Sequence, residues 1–175
     1  DGARIANATA ALGGTRETLR SFTRDAGIDA MTFGCTKAGG IFGEAVVFFN
    51  QTFTTRSVYV RKQVTQLHSK MRFIAAQYEA MLRDDLFITL GGQANKAARM
   101  LFDKTKDIAS LQLNTAPAAN SMFPIIAKGP RAQLQEWAHF YDWDIAADQV
   151  RWMTAWDMTE PEIDAFVAGV RALLA

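Results

Sequence analysis

Ile28-Asp29-Ala30-Met31-Thr32-Phe33-Gly34-Cys35-Thr36-Lys37 decides how this sequence is read. Ile28 to Phe33 reads as a strand. Gly34 to Gly43 reads as a glycine-rich turn that holds Lys37, the only charge between Asp29 and Glu44. A lysine among residues this small is not on a solvated helix face. If it is partly desolvated its pKa falls, and an unprotonated amine can form an imine. The alternative is a surface lysine at a strand end. The turn has no GxxxxGK[ST] spacing, which argues against a nucleotide phosphate loop.

Upstream lies Asp1-Gly2-Ala3-Arg4. If Asp1 ends a strand and Arg4 opens a helix, both side chains can face one cleft, and Gly2 lets a flat ligand approach the backbone. The carboxylate can pair with a protonated ring nitrogen, and the guanidinium can grip a carboxylate in two places. Taken alone, this segment reads first as an ordinary loop salt bridge. The order carboxylate, helix pair, strand, lysine is nevertheless what pyridoxal-phosphate (PLP) chemistry requires: an acid that keeps the pyridine protonated and an amine that holds the aldehyde carbon.

Outward from these residues, Ile5 to Leu12 and Thr15 to Ala26 read as helices with glycine stops. Ala45 to Phe49 is an apolar run expected to be a strand buried on both faces. One long helix is expected over about Thr55 to Leu82, with Val60, Val64, Leu67, Met71, Ile74, Tyr78 and Met81 on one face. Another helix follows from about Gly92 to Lys106. Leu111 to Leu113, Ser121 to Ala127, Trp143 to Ala146 and Gln149 to Trp156 read as short strands, with a helix over Gly129 to Tyr141. Thr159-Glu160-Pro161-Glu162 is a helix start. Strands alternating with helices argue for an α/β chain with at least part of a parallel sheet. The expected division is 1–54, the end of a large α/β domain; 55–107, connecting helices; and 108–175, a small α+β domain.

The chain has 175 residues, 49% hydrophobic, with net charge +1, so nothing in bulk points to a nucleic-acid or membrane partner. A single cysteine, Cys35, excludes an internal disulfide, and a reducing, cytoplasmic setting is expected. His68 and His139 lack partners at ligand spacing, which argues against zinc. His68 is expected on a helix surface, Cys35 as a buried filler, and the four tryptophans (Trp137, Trp143, Trp152 and Trp156) as the core of the small domain.

The run D-G-A-R-I-x-N-A-x-x-A-L, followed by M-T-F-G-C-T-K and by Thr36 to Phe49, resembles the threonine aldolase and β-eliminating lyase family of the aspartate-aminotransferase fold type; Ser69 to Phe73 adds to the resemblance. The likeness covers the whole chain but only the C-terminal half of a family member. It implies a PLP-dependent lyase that cleaves threonine, allo-threonine or related β-hydroxy-α-amino acids to glycine and an aldehyde. A β-eliminating reaction and a non-catalytic fragment are the alternatives. By resemblance, Asp1 pairs with the pyridine nitrogen, Lys37 forms the Schiff base, and Arg4 and Arg151 bind the substrate carboxylate. Arg72 stands near the cofactor phosphate, contributed to the neighbouring subunit. From the residues alone, Arg151 is a cation inside an apolar strand, where an unpaired charge is costly; it is equally a solvent-facing strand residue, and Arg72 a solvated helix charge. Ile41-Phe42-Gly43-Glu44 departs from the A-P-V-G that many members carry. The family's stacking histidine and phosphate cup lie upstream of Asp1, so an N-terminal half is expected to accompany this chain, in a homodimer or homotetramer.

Overall fold

The computed structural model describes residues 1–174 as two compact units, residues 1–91 and residues 92 onward. Helix α5 (Leu86–Thr105) contains the division. Of the expected connecting segment, α3 (Ser57–Thr65) and α4 (Met71–Leu82) belong to the first unit.

In the first unit, α1 (Ile5–Ala11) and α2 (Arg16–Ser21) precede strand β1 (Ala30–Gly34), which pairs antiparallel with β2 (Glu44–Phe48). The second helix is shorter than its sequence pattern suggests. Thr15 caps its start, accepting a hydrogen bond from the Thr18 amide, and the chain leaves the helix at Phe22. The core gathers Ile5, Ala6, Phe33, Cys35, Ala38, Met81, Phe87 and Ile88. Gly91 on α5 is needed here, because a Cβ at that position would lie 2.5 Å from the Ala6 carbonyl carbon.

Three expectations are corrected in this unit. The run Ala45–Phe49 is not buried on both faces: β2 has a single partner, and Val46 is 56% exposed. The stretch from Thr55 to Leu82 is two helices. Gln66 adopts φ +51° at the end of α3, and α4 starts only at Met71. A left-handed residue stops the hydrogen-bond ladder, so the shared apolar periodicity does not continue as one rod. His68 falls in this break rather than on a helix, its Nδ1 accepting from the Lys70 amide.

In the second unit, β3 (Ser121–Met122), β5 (Gln149–Met153) and β4 (Tyr141–Asp144) form an antiparallel sheet in that order. Helices α6 (Lys128–Trp137) and α7 (Glu160–Leu174) pack together. The expected parallel pairing is absent among the described strands; every ladder is antiparallel. Leu134, Val150, Trp152, Ile163, Val167 and Val170 anchor the core. Of the four tryptophans only Trp152 is buried, which corrects the expectation of a four-tryptophan core. Trp137 instead stacks on Phe166, with its ring seated over Gly169, where any Cβ would collide. The α7 start forms as its sequence indicates: Glu162 accepts from both the amide and the hydroxyl of Thr159 at 2.7 Å.

Candidate active-site residues and family

The N-terminal segment lies along β1. The Gly2 amide donates to Thr32 Oγ1 at 3.0 Å, and the Gly34 amide approaches the Gly2 carbonyl at 3.5 Å. This apposition requires glycine, since a Cβ on Gly2 would run into the Thr32 carbonyl oxygen. Asp1 turns back on its own chain, Oδ1 accepting from the Ala3 amide at 2.8 Å, and Arg4 stands at the N-cap of α1. Asp1, Gly2, Ala3 and Arg4 line an open cavity of about 450 Å³ together with Phe22 and Met31, among others. Asp1 and Arg4 therefore share one cleft.

Lys37 lies just beyond the C-terminal end of β1, in a short 3₁₀ turn, Thr36–Ala38. It does not line the Asp1 cavity. The turn is closed on itself: the Cys35 amide donates to the Gly43 carbonyl at 3.0 Å, and the Ala38 and Gly40 amides donate to the Cys35 carbonyl. Gly39 and Gly43 take φ +108° and +148°, values that glycine accommodates. Lys37 itself is exposed, so residues of this chain do not supply the partial desolvation expected of it. Among the described residues it makes no hydrogen bond or ion pair.

Cys35 is fully buried beneath the turn, its thiol donating to Met81 Sδ at 3.4 Å. Burial, and secondarily the charge of Glu44, push the thiol pKa up. That suits a core filler and not a thiolate nucleophile. Tyr78 on α4 donates to the Phe33 carbonyl at 2.6 Å. Burial raises its phenol to about 12, with Cys35 and Glu44 contributing.

Arg72 is exposed in the first turn of α4, its guanidinium over the neighbouring Phe73 ring. Arg151 belongs to the second unit, at the centre of β5. Its guanidinium carbon lies 4.9 Å from the Trp143 ring centre and 5.9 Å from that of Tyr141. The cation is thus held by two aromatic faces instead of a carboxylate, and its Nε is buried with no hydrogen-bond partner. Sequence reasoning placed Trp143 in the core and missed this role. The signal available was the Tyr141-x-Trp143 alternation, which puts two rings on one side of a strand.

No group of three or more His, Cys, Asp or Glu residues suited to a metal occurs among the described residues. No helix among them is long and apolar enough to cross a membrane.

The sequence profile of the beta-eliminating lyase family matches residues 1–128. A low specificity L-threonine aldolase from Pseudomonas sp. (strain NCIMB 10558) is 36% identical over 184 residues, covering 100% of this chain and 50% of that protein. A low specificity L-threonine aldolase from Pseudomonas aeruginosa is 34% identical, covering 99% of this chain and 49% of its own length. Among solved structures, a Leishmania major threonine aldolase superposes with TM-score 0.85 at 30% identity, covering 100% of this chain and 51% of that one. The chain spans about half the length of these relatives, and its mixed helix and sheet fold is that of their C-terminal half. With the profile covering most of the chain and both units accounted for in the superposition, this chain belongs to the beta-eliminating lyase family.

Proposed function

We propose that this chain is the C-terminal half of a PLP-dependent lyase that cleaves threonine, allo-threonine or related β-hydroxy-α-amino acids to glycine and an aldehyde, in the cytoplasm. The observation that carries this reading is the attachment of the Asp1–Gly2 segment to β1 at Thr32 and Gly34, with the Lys37 turn following directly. The C-terminal part of one strand thereby supports the segment that carries the acid and leads directly into the turn that carries the amine.

The donor set fits the cofactor. Asp1 offers an exposed carboxylate, fixed by the Ala3 amide and ready to accept from a protonated pyridine nitrogen. Gly2 leaves no side chain between that carboxylate and β1. Lys37 offers an exposed amine with no competing ion pair among the described residues. PLP bound there would act as an electron sink for the pair released when the Cα–Cβ bond breaks. Arg4, in the Asp1 cleft, and Arg151, on its aromatic support, would orient the substrate carboxylate. Arg72 would serve the cofactor phosphate of a neighbouring subunit.

The rest of the site would come from an N-terminal half of the same protein and a second subunit. The character of α3 supports that: Val58, Tyr59, Val60 and Val64 are all exposed, and no residue of this helix is buried. Apolar surface of this extent ordinarily marks a contact with other protein. Water exclusion around Lys37, and a base for the β-hydroxyl proton, would also lie outside this chain.

A panel of threonine, allo-threonine and phenylserine, with glycine and aldehyde measured together, tests the reaction in the complete protein. Equal yields of the two products are expected. Ammonia and a keto acid in their place would mark β-elimination, and no product from any of the three would contradict lyase action on this class.

A further inference from the structure

We propose that Gln77 is a positioning residue for Lys37. The inference rests on the reading of Lys37 as the cofactor-binding amine. Residues Ile74, Gln77 and Tyr78 present one face of α4 to the Lys37 turn, at the three- and four-residue spacing of neighbours on a helix surface. Gln77 Oε1 accepts from the Ile41 amide at 2.7 Å, and Nε2 approaches the Phe42 carbonyl at 3.5 Å. The same Nε2 donates back to the Phe73 carbonyl at 3.2 Å, which ties the side chain to its own helix. On either side, Ile74 and Tyr78 meet Gly43 so closely that a Cβ there would lie 2.8 Å and 3.3 Å from them.

The turn needs such an anchor. Its first half is organised by the Cys35 carbonyl, which accepts from Ala38 and Gly40. Its second half contains two exposed apolar residues, Ile41 and Phe42, ahead of Gly43. Among the described residues, Gln77 is the only side chain that hydrogen-bonds this half. Freed from Gln77, Ile41 and Phe42 are held through their neighbours Gly40 and Gly43, with the left-handed Gly39 and Gly43 about which to move, and Lys37 lies two residues before Gly39. A lysine that must present its amine to a fixed carbon gains from a turn that is already in place. An apolar residue at position 77 could fill the space but could not hold the Ile41 amide.

The test uses the complete protein and two readouts. In the cofactor-free form, hydrogen exchange over residues 36–43 reports the turn. With PLP added, borohydride reduction followed by peptide mapping reports the rate at which Lys37 takes the pyridoxyl group. Gln77→Leu is expected to lose exchange protection at Ile41 and to slow labelling about tenfold, with its melting temperature near the parent's. Gln77→Glu keeps an acceptor for Ile41 and loses the donor to Phe42, so it should keep that protection and label at an intermediate rate. A folded Gln77→Leu with parental exchange and labelling overturns the proposal. Should Gln77→Leu fail to fold, Gln77→Glu carries the test, and a parental labelling rate overturns it. A parent that takes no label at Lys37 overturns the reading of Lys37, and the role of Gln77 with it; a labelled parent beside an unchanged variant overturns the role of Gln77 alone.

Discussion

Arg151 lies with its guanidinium carbon 4.9 Å from the centre of the Trp143 ring. The contact sits at an irregularity in β4: Tyr141 pairs with Arg151 and Asp142 with Val150, but the next pair is Asp144 with Gln149. Trp143 is the extra residue of this bulge, and its ring still lies on the Arg151 side together with that of Tyr141. Removing the ring should loosen the cation. If Arg151 binds the substrate carboxylate, Trp143→Ala raises KM about two- to fivefold, corresponding to a cation–π contribution of about 0.5–1 kcal/mol. The turnover number should change less. Steady-state kinetics of the complete protein would show this, and a fall in kcat at constant KM would contradict it.

Tyr78 should remain a neutral phenol well above the usual tyrosine range, because burial raises its pKa to about 12. The sign of the linkage follows. The folded value lies above the unfolded value of about 10, so the stabilisation is complete below pH 10 and is lost as pH rises towards 12. Ultraviolet titration of the folded protein, compared with Tyr78→Phe, isolates this group. Tyr78→Phe also deprives the Phe33 carbonyl of its 2.6 Å donor and should cost about 1 kcal/mol in urea unfolding.

Gly2→Ala should be strongly destabilising for its size. The added Cβ meets a backbone oxygen, that of Thr32, which cannot swing aside as a long side chain can. A penalty of about 1–3 kcal/mol is expected, as for other overpacked sites. Thermal unfolding measures it. A variant as stable as the parent would show that the N-terminal segment does not lie against β1.

The start of α7 carries its own pH dependence. Hydrogen bonds from the Thr159 amide and then its hydroxyl hold the Glu162 carboxyl below its ordinary value. A depressed folded pKa gives stability that is present above the unfolded value of about 4.3 and is lost as pH falls through the folded one. Glu162→Gln should therefore melt lower than the parent at pH 7, with the gap closing in acid. A gap that stays constant down to pH 2 would contradict the capping role.

Much of this was legible in the residues, because the physics involved was local. The Thr159/Glu162 cap and the glycine-rich turn around Lys37 each announce themselves within a few positions. The likeness carried by Asp1–Arg4 and Met31–Lys37 extended the reading to the fold. What escaped depended on distant neighbours. A five-residue apolar run at Ala45–Phe49 looks the same whether its strand has one partner or two. The break at Gln66 rests on one backbone rotation in an otherwise helical pattern. Gln77 reads as a polar position on an amphipathic helix until the Ile41 amide, thirty-six residues earlier, is brought against it.

The most direct test of the account is the site of cofactor attachment. Complete protein is incubated with PLP, reduced with borohydride, digested and mapped by mass spectrometry. One pyridoxyl group is expected, on the peptide containing Lys37, and none in Lys37→Ala. Label spread among exposed lysines such as Lys62 and Lys96, or retained in Lys37→Ala, would contradict it.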